Sequence, residues 1–251
     1  WTWMRGMRTV APRRGQAGRD ECGCRQGAAP DAMVTANPQR RQVLSWMVVP
    51  ALMAALPWQA ADAADTTENP VLMVLGDSLS AEYGLLRGEG WVALLEKRLA
   101  GDAALSRWKV VNASISGETT AGGLARLPRL LQQHRPALVI IELGGNDALR
   151  GLPLKASTDN LRQMVDAVQK AGGRAVLVGM QVPPNYGPAY ARQFERMFRK
   201  VADETRSPLV PFLLEGFGDD PTWFQPDGIH PQARAHPRML ETIWTVLKDA
   251  M

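Results

Sequence analysis

The sequence predicts one α/β layer domain, a parallel β-sheet of five strands with helices on both faces. Three observations predict it. Five short apolar runs are each bounded by turn residues. Longer amphipathic stretches separate them. The segments that follow the runs gather Gly, Asp, Ser, Asn and His in clusters. Short apolar runs with no alternation are the pattern of strands buried on both faces, and strands alternating with helices imply right-handed crossovers in a parallel sheet.

The first run is Val71–Leu75, followed by a helix at about 90–100. The second, Lys109–Val111, leads to a helix at about 122–133. Ala137–Leu143 is the third and longest, and a helix at about 157–171 comes after it. In that helix Leu161, Met164, Val165 and Val168 recur at helical spacing, and Gly172-Gly173 supplies the stop. Ala175–Met180 precedes a helix at about 188–205, and Leu209–Phe212 precedes a last one at about 232–250. No repeat, low-complexity tract or internal linker interrupts this body.

The first quarter of the chain has another character. Residues 1–63 hold eight Arg against four acids, whereas residues 64–251 hold 21 bases and 21 acids. The positive excess therefore belongs to the N-terminal segment, and the balanced body offers no electrostatic footprint for nucleic acid or an anionic membrane. Cys22 and Cys24 also lie there, with too few neighbouring ligands for a tetrahedral zinc site. Arg40-Arg41, the apolar run Val43–Trp58 and the Ala61-Asp62-Ala63 ending form a secretory signal pattern, with cleavage expected near Ala63–Ala64. The double arginine is a loose match to a twin-arginine signal. The run of about 16 residues, broken by Pro50 and Pro57, is short for a spanning helix. Met33 would start a signal of normal length, so residues 1–32 are read as an over-extended or disordered segment and 64–251 as the mature domain.

In a parallel sheet, ligands bind beyond the carboxyl ends of the strands. The segments found there are Gly76-Asp77-Ser78-Leu79-Ser80, Asn112 to Glu118, Gly144-Gly145-Asn146-Asp147, Pro183 to Gly187 and Pro226 to Pro231. All five share one edge and can converge on one cleft. Ser78 sits at a strand-to-loop turn and needs a base to become a nucleophile. Of three histidines, His134 ends a helix before Arg135-Pro136 and suits a capping role, and His236 falls early in the last helix. His230 follows Asp227 by three residues on a Pro/Gly-bounded loop. That spacing lets the carboxylate orient one ring nitrogen while the other faces Ser78. Asp-x-x-His alone is more often a helix-start cap, and Gly144-Gly145-Asn146 alone more often a plain turn; their coincidence with Ser78 favours chemistry. Gly117 lets its backbone N–H approach a substrate closely, Asn146 offers a side-chain amide, and the Ser78 N–H would be a third oxyanion donor.

Gly-Asp-Ser-Leu-Ser at 76–80, Gly117, Gly-Gly-Asn-Asp at 144–147 and Asp-Gly-Ile-His at 227–230 resemble the SGNH, or GDSL-type, hydrolase family over about residues 70–250. Asn-Ala-Ser-Ile-Ser-Gly-Glu-Thr-Thr, Gly-Leu-Ala-Arg-Leu-Pro at 123–128 and Pro-Asn-Tyr-Gly are similar to its bacterial periplasmic arylesterase, thioesterase I and lysophospholipase L1 branch. The resemblance implies a flavodoxin-like three-layer α/β/α sandwich. It also implies Ser78 as nucleophile, His230 as base, Asp227 as orienter, and Gly117 and Asn146 as oxyanion donors.

A serine esterase is therefore expected, acting on aryl or short-to-medium acyl esters, on acyl thioesters and on lysophospholipids. Its alternatives are an acyltransferase or carbohydrate deacetylase on the same scaffold, and a non-catalytic exported binding module. Leu149, Val182 and Tyr186 are candidate substrate contacts, with Leu152, Trp223 and Phe224 as further apolar loop residues. No metal or organic cofactor is expected, since no phosphate-cradling glycine motif follows a strand. A periplasmic or secreted monomer is expected, with no nucleic-acid partner and no stable membrane insertion once the signal is removed.

Overall fold

The central strands of the sheet, Val71–Gly76 and Leu138–Glu142, are apolar on both faces, so the sheet has to be covered twice. The computed structural model describes residues 69–251. The signal-like segment, the cysteine pair and residues 1–68 as a whole lie outside the described residues. The strands are β1 (Val71–Gly76), β2 (Lys109–Asn112), β3 (Leu138–Glu142), β4 (Arg174–Val178) and β5 (Leu209–Val210). They form one sheet in the order β2-β1-β3-β4-β5, every pairing parallel. The helices are α1 (Trp91–Ala100), α2 (Thr120–His134), α3 (Gly145–Leu149), α4 (Leu154–Lys170), α5 (Pro188–Thr205) and α6 (His236–Ala250).

Alternation along each strand divides the core into two apolar layers. Leu72 and Val74 of β1 and Leu138 and Ile140 of β3 point to α1 and α6, where Trp91, Leu95, Leu99, Met239 and Ile243 meet them. Met73, Leu75, Val139 and Ile141 point the other way, to Leu127 of α2, Leu161 and Val165 of α4, and Phe194 and Phe198 of α5. The result is the three-layer α/β/α sandwich that the resemblance implies. Burying each such side chain contributes roughly 1.5–3 kcal/mol, so neither layer is dispensable.

The elements differ from expectation where proline or glycine decides. The ladder of β5 stops at Val210 because Pro211 has no N–H to donate, although Leu209–Phe212 is apolar. Residues 233–235 make a 3₁₀ turn, and α6 begins at His236 with Pro237 in its first turn. Between β3 and β4, α4 starts three residues early, at Leu154, with Pro153 as its extended N-cap. Gly144-Gly145-Asn146 is not a plain turn: Gly145 opens α3, which carries Asn146 in its first turn.

Candidate active site

The carboxyl ends of β1, β2 and β3 carry Ser78, Gly117 and Asn146, and the segment before α6 carries Asp227 and His230. After β1 the chain closes tightly: the N–H groups of Ser80 and Ala81 donate to the Asp77 carbonyl, and Tyr83 N–H reaches the Ser78 carbonyl at 3.4 Å. This turn leaves Ser78 half-buried while Asp77, Leu79 and Ser80 on either side are buried. Ser78 Oγ lies 2.8 Å from His230 Nε2. His230 Nδ1 lies 2.6 Å from Asp227 Oδ2. An ionised carboxylate only accepts, so Nδ1 carries the proton and Nε2 is free to accept from the serine hydroxyl.

Asp227 is fixed by its own loop. Its Oδ1 accepts the backbone N–H groups of Ile229, at 2.9 Å, and His230, at 3.0 Å. Partial burial raises its affinity for a proton, but these two N–H groups and the His230 ring outweigh it and hold Asp227 below the usual carboxylate range. The loop is fastened to the nucleophile's side by Gln225. The side-chain Nε2 of Gln225 donates to the carbonyls of Tyr83, at 2.9 Å, and Pro231, at 3.1 Å, while its backbone N–H donates to His230 O at 2.7 Å. The Tyr83 ring lies over the imidazole with centroids 4.2 Å apart.

On the opposite side, Ile115 N–H donates to Gly76 O at 3.0 Å and ties the segment after β2 to the end of β1. Gly117 follows with φ +79°, a conformation that disfavours any side chain. Its carbonyl accepts from the Arg150 guanidinium at 2.7 Å, which joins it to the residue that ends α3. Asn146 Nδ2 donates to Asp77 Oδ2 at 2.9 Å. The helix that carries Asn146 is held by buried Asp147, whose carboxylate accepts from Thr120 N–H, Thr120 Oγ1 and Ser157 Oγ at 2.8, 2.5 and 2.8 Å.

Beneath the nucleophile lies a buried carboxyl pair. Glu142 ends β3 directly beside Gly76 in the sheet register and is 3% exposed, as is Asp77. Glu142 Oε2 accepts from Ser80 Oγ at 2.7 Å and from Asp77 N–H at 3.3 Å. A Cβ on Gly76 would stand 2.8 Å from that same oxygen, so only glycine lets β1 approach it. Burial pushes Asp77 up to about 6 despite hydrogen bonds from Leu79 N–H and Asn146. Burial, with the Asp77 charge next to it, pushes Glu142 well above the usual carboxylate range.

The other residues singled out in the sequence lie as follows. His134 is the last residue of α2, and Arg135 holds the cap position after it. His236 is buried, accepts Trp91 N–H on Nδ1 at 3.1 Å and is depressed by burial to about 4; it is a core residue. Leu149 is exposed after Asn146, Val182 packs against the α2/α4/α5 layer, and Tyr186 stacks on Tyr190 with centroids 6.2 Å apart. Trp223 and Phe224 pack on the core beside Phe217. Glu142, Tyr83 and Gln225 escape a reading of the sequence, although a charged residue ending an apolar strand run is itself a signal. Among the described residues no cluster of three or more His, Cys, Asp or Glu side chains is placed to hold a metal ion.

The family model for the GDSL-like lipase/acylhydrolase family matches residues 74–238. Over 180 residues the chain is 52% identical to esterase TesA of Pseudomonas aeruginosa, covering 72% of this chain and 89% of that one. It is 43% identical over 195 residues to thioesterase 1/protease 1/lysophospholipase L1 of Escherichia coli K12, covering 78% and 88%. The crystal structure of TesA superimposes with a TM-score of 0.69 at 51% identity, over 72% of this chain and 99% of that one. The chain belongs to the GDSL-like lipase/acylhydrolase family of SGNH hydrolases, and its relatives are carboxylic ester hydrolases.

Proposed function

We propose that this chain hydrolyses carboxylic esters through an acyl-enzyme on Ser78. The observation that carries the reading is the continuous relay from Ser78 Oγ through His230 to Asp227, at 2.8 and 2.6 Å. Ser78 Oγ attacks the acyl carbon while His230 Nε2 takes its proton. The carbonyl oxygen, now anionic, is received by Ser78 N–H, Gly117 N–H and Asn146 Nδ2. The imidazolium returns the proton to the departing alcohol or thiol, and water then cleaves the acyl-enzyme through the same base.

Aryl and short-to-medium acyl esters, acyl thioesters and lysophospholipids are the proposed substrates, in keeping with the names of the relatives. The rim supports a broad apolar preference: Tyr83, Leu86, Ile115, Leu149 and Leu152 are large apolar residues left exposed, all in segments that follow β1, β2 or β3. Leu149 is assigned to acyl contact; Val182 and Tyr186 would act from the far side, where Val182 is anchored in the core layer. We further assign residues 33–63 as a removable export signal and 64–251 as the working domain, a monomer of the periplasm or the exterior. No helix among the described residues is long and apolar enough to cross a membrane.

The test is hydrolysis of p-nitrophenyl esters of two to sixteen carbons by the protein from Ala64, with Ser78→Ala alongside and an organophosphorus probe for covalent labelling. We expect Ser78→Ala to lower turnover by about 10⁵–10⁶ and to abolish labelling, with the fold intact. Undiminished turnover in folded Ser78→Ala would overturn the assignment.

A further inference from the structure

We propose that Glu142 is a positioning residue for the oxyanion hole: it seats the Asp77 carboxylate that dictates which way the Asn146 amide faces. The inference rests on the hydrolase reading and extends it to a residue that touches no substrate.

The argument follows the hydrogens. Trp91 Nε1 only donates, and it donates to Ser80 Oγ at 3.2 Å. The hydroxyl has a single hydrogen, so that hydrogen goes to Glu142 Oε2 at 2.7 Å. Asp77 N–H approaches the same oxygen. With two donors on Oε2, a proton carried by the acid sits on Oε1. None of the ion pairs among the described residues reaches Glu142. A second buried anion beside Asp77 would be uncompensated, so the stable arrangement is one neutral acid and one carboxylate. Burial raises the proton affinity of both acids, in keeping with one of them being neutral.

Asp77 is then an acceptor at both oxygens. Oδ1 takes Leu79 N–H at 3.0 Å and Oδ2 takes Asn146 Nδ2. A flipped Asn146 would press its amide oxygen against a carboxylate oxygen, which is repulsive. Asp77 therefore fixes the donor end of the amide toward itself, and the second hydrogen of Nδ2 remains for the oxyanion. Glu142 holds Asp77 by accepting the Asp77 backbone N–H on Oε2.

The experiment is a double-mutant cycle between Glu142 and Asn146 in the active enzyme, reading kcat and KM separately on p-nitrophenyl butyrate. We expect Glu142→Ala to lower kcat by about 10–100-fold with KM changed by less than about 3-fold, a fraction of what losing the donor itself costs. Glu142→Gln, which keeps an acceptor oxygen and offers a donor toward Asp77, should restore kcat to within about 5-fold of wild type. In an Asn146→Ala background, Glu142→Ala should cost less than about 3-fold, because the group it orients is gone. A fully additive cycle, or a Glu142→Gln enzyme as slow as Glu142→Ala, would overturn the proposal. Should Glu142→Ala not fold, Asp77→Asn keeps the volume and frees the amide to flip; its kcat loss must likewise vanish without Asn146, and additivity there overturns the proposal equally. Ser78-dependent turnover in the wild type tests the hydrolase reading separately, so an enzyme that passes that test and fails the cycle refutes only the role of Glu142.

Discussion

Two aspartates flank the catalytic centre, and they behave in opposite ways. Asp227, on the loop before α6, keeps 37% of its side chain exposed and is held below the usual carboxylate range by two backbone N–H groups and the His230 ring. Asp77, at the end of β1, is 3% exposed and is pushed up to about 6 by burial. One half of the site is thus an open loop that makes its charge comfortable locally. The other is a dry platform where burial opposes charge on both Asp77 and Glu142. Under the proposed mechanism the contrast separates the tasks: the open half would move protons, and the buried half would hold geometry.

That division can be broken by substitution. The largest effect belongs to the open half. Asp227→Asn should lower kcat by about 10³–10⁴ through a misoriented, wrongly protonated imidazole, with the melting temperature nearly unchanged because the residue is half in water. A steady-state assay beside a thermal melt decides it; a large loss of stability would mean the loop is structural as well. Next comes the platform. Asn146→Ala should lower kcat by roughly 10²–10³ with KM little affected, and a loss confined to KM would remove it from the oxyanion hole.

A pH series sharpens the comparison in stability. Buried His236 sits at about 4 against an ordinary 6.5, so its contribution to folding is complete above pH 6.5 and lost as pH falls toward 4. Asp77 runs the other way: its folded form takes up a proton near pH 6 and its unfolded form near 3.8, so folding gains as pH falls through that window. The two slopes oppose each other in the wild type. Asp77→Asn removes one of them, and its melting temperature should fall between pH 6.5 and 4 by roughly 4–8 °C more than that of the wild type, the equivalent of about 2 kcal/mol. Parallel curves would place Asp77 at an ordinary proton affinity. The smallest effect is expected of Trp91→Phe, which removes the indole donor to Ser80 and should cost about 1 kcal/mol of stability in a chemical-denaturation curve; a neutral substitution would show the Ser80 hydrogen bond to be replaceable.

The open half was also the legible half. Asp227 and His230 are three residues apart, and the carboxylate meets the ring through local loop geometry, which the spacing allows and the serine motif at 76–80 makes meaningful. The strands were legible because apolar runs need no knowledge of their neighbours. Glu142 was not: its meaning depends on lying beside Gly76 across the β1–β3 pairing, a register that no local pattern encodes. Gly145 and Asn146 read as turn formers by propensity, yet α3 is retained because Asp147 is bound by Thr120 of α2 and Ser157 of α4, two contacts distant in sequence. The end of β5 and the late start of α6 turned on single prolines, which move a boundary by a few residues without changing the fold.

The Gln225 clasp has a consequence for how the molecule comes apart. Ser78 and His230 are 152 residues apart, and between Phe224 and Pro231 the loop that brings them together is held to the first loop by the Gln225 side-chain amide and the tilted Tyr83 ring. Segments fixed by so few buried contacts open at a lower free energy than the strands beneath them. The base should therefore leave the nucleophile in a local excursion that spares the sheet. Amides of 225–232 should exchange with solvent faster than those of β1 and β3, and heat should silence the enzyme before it melts it.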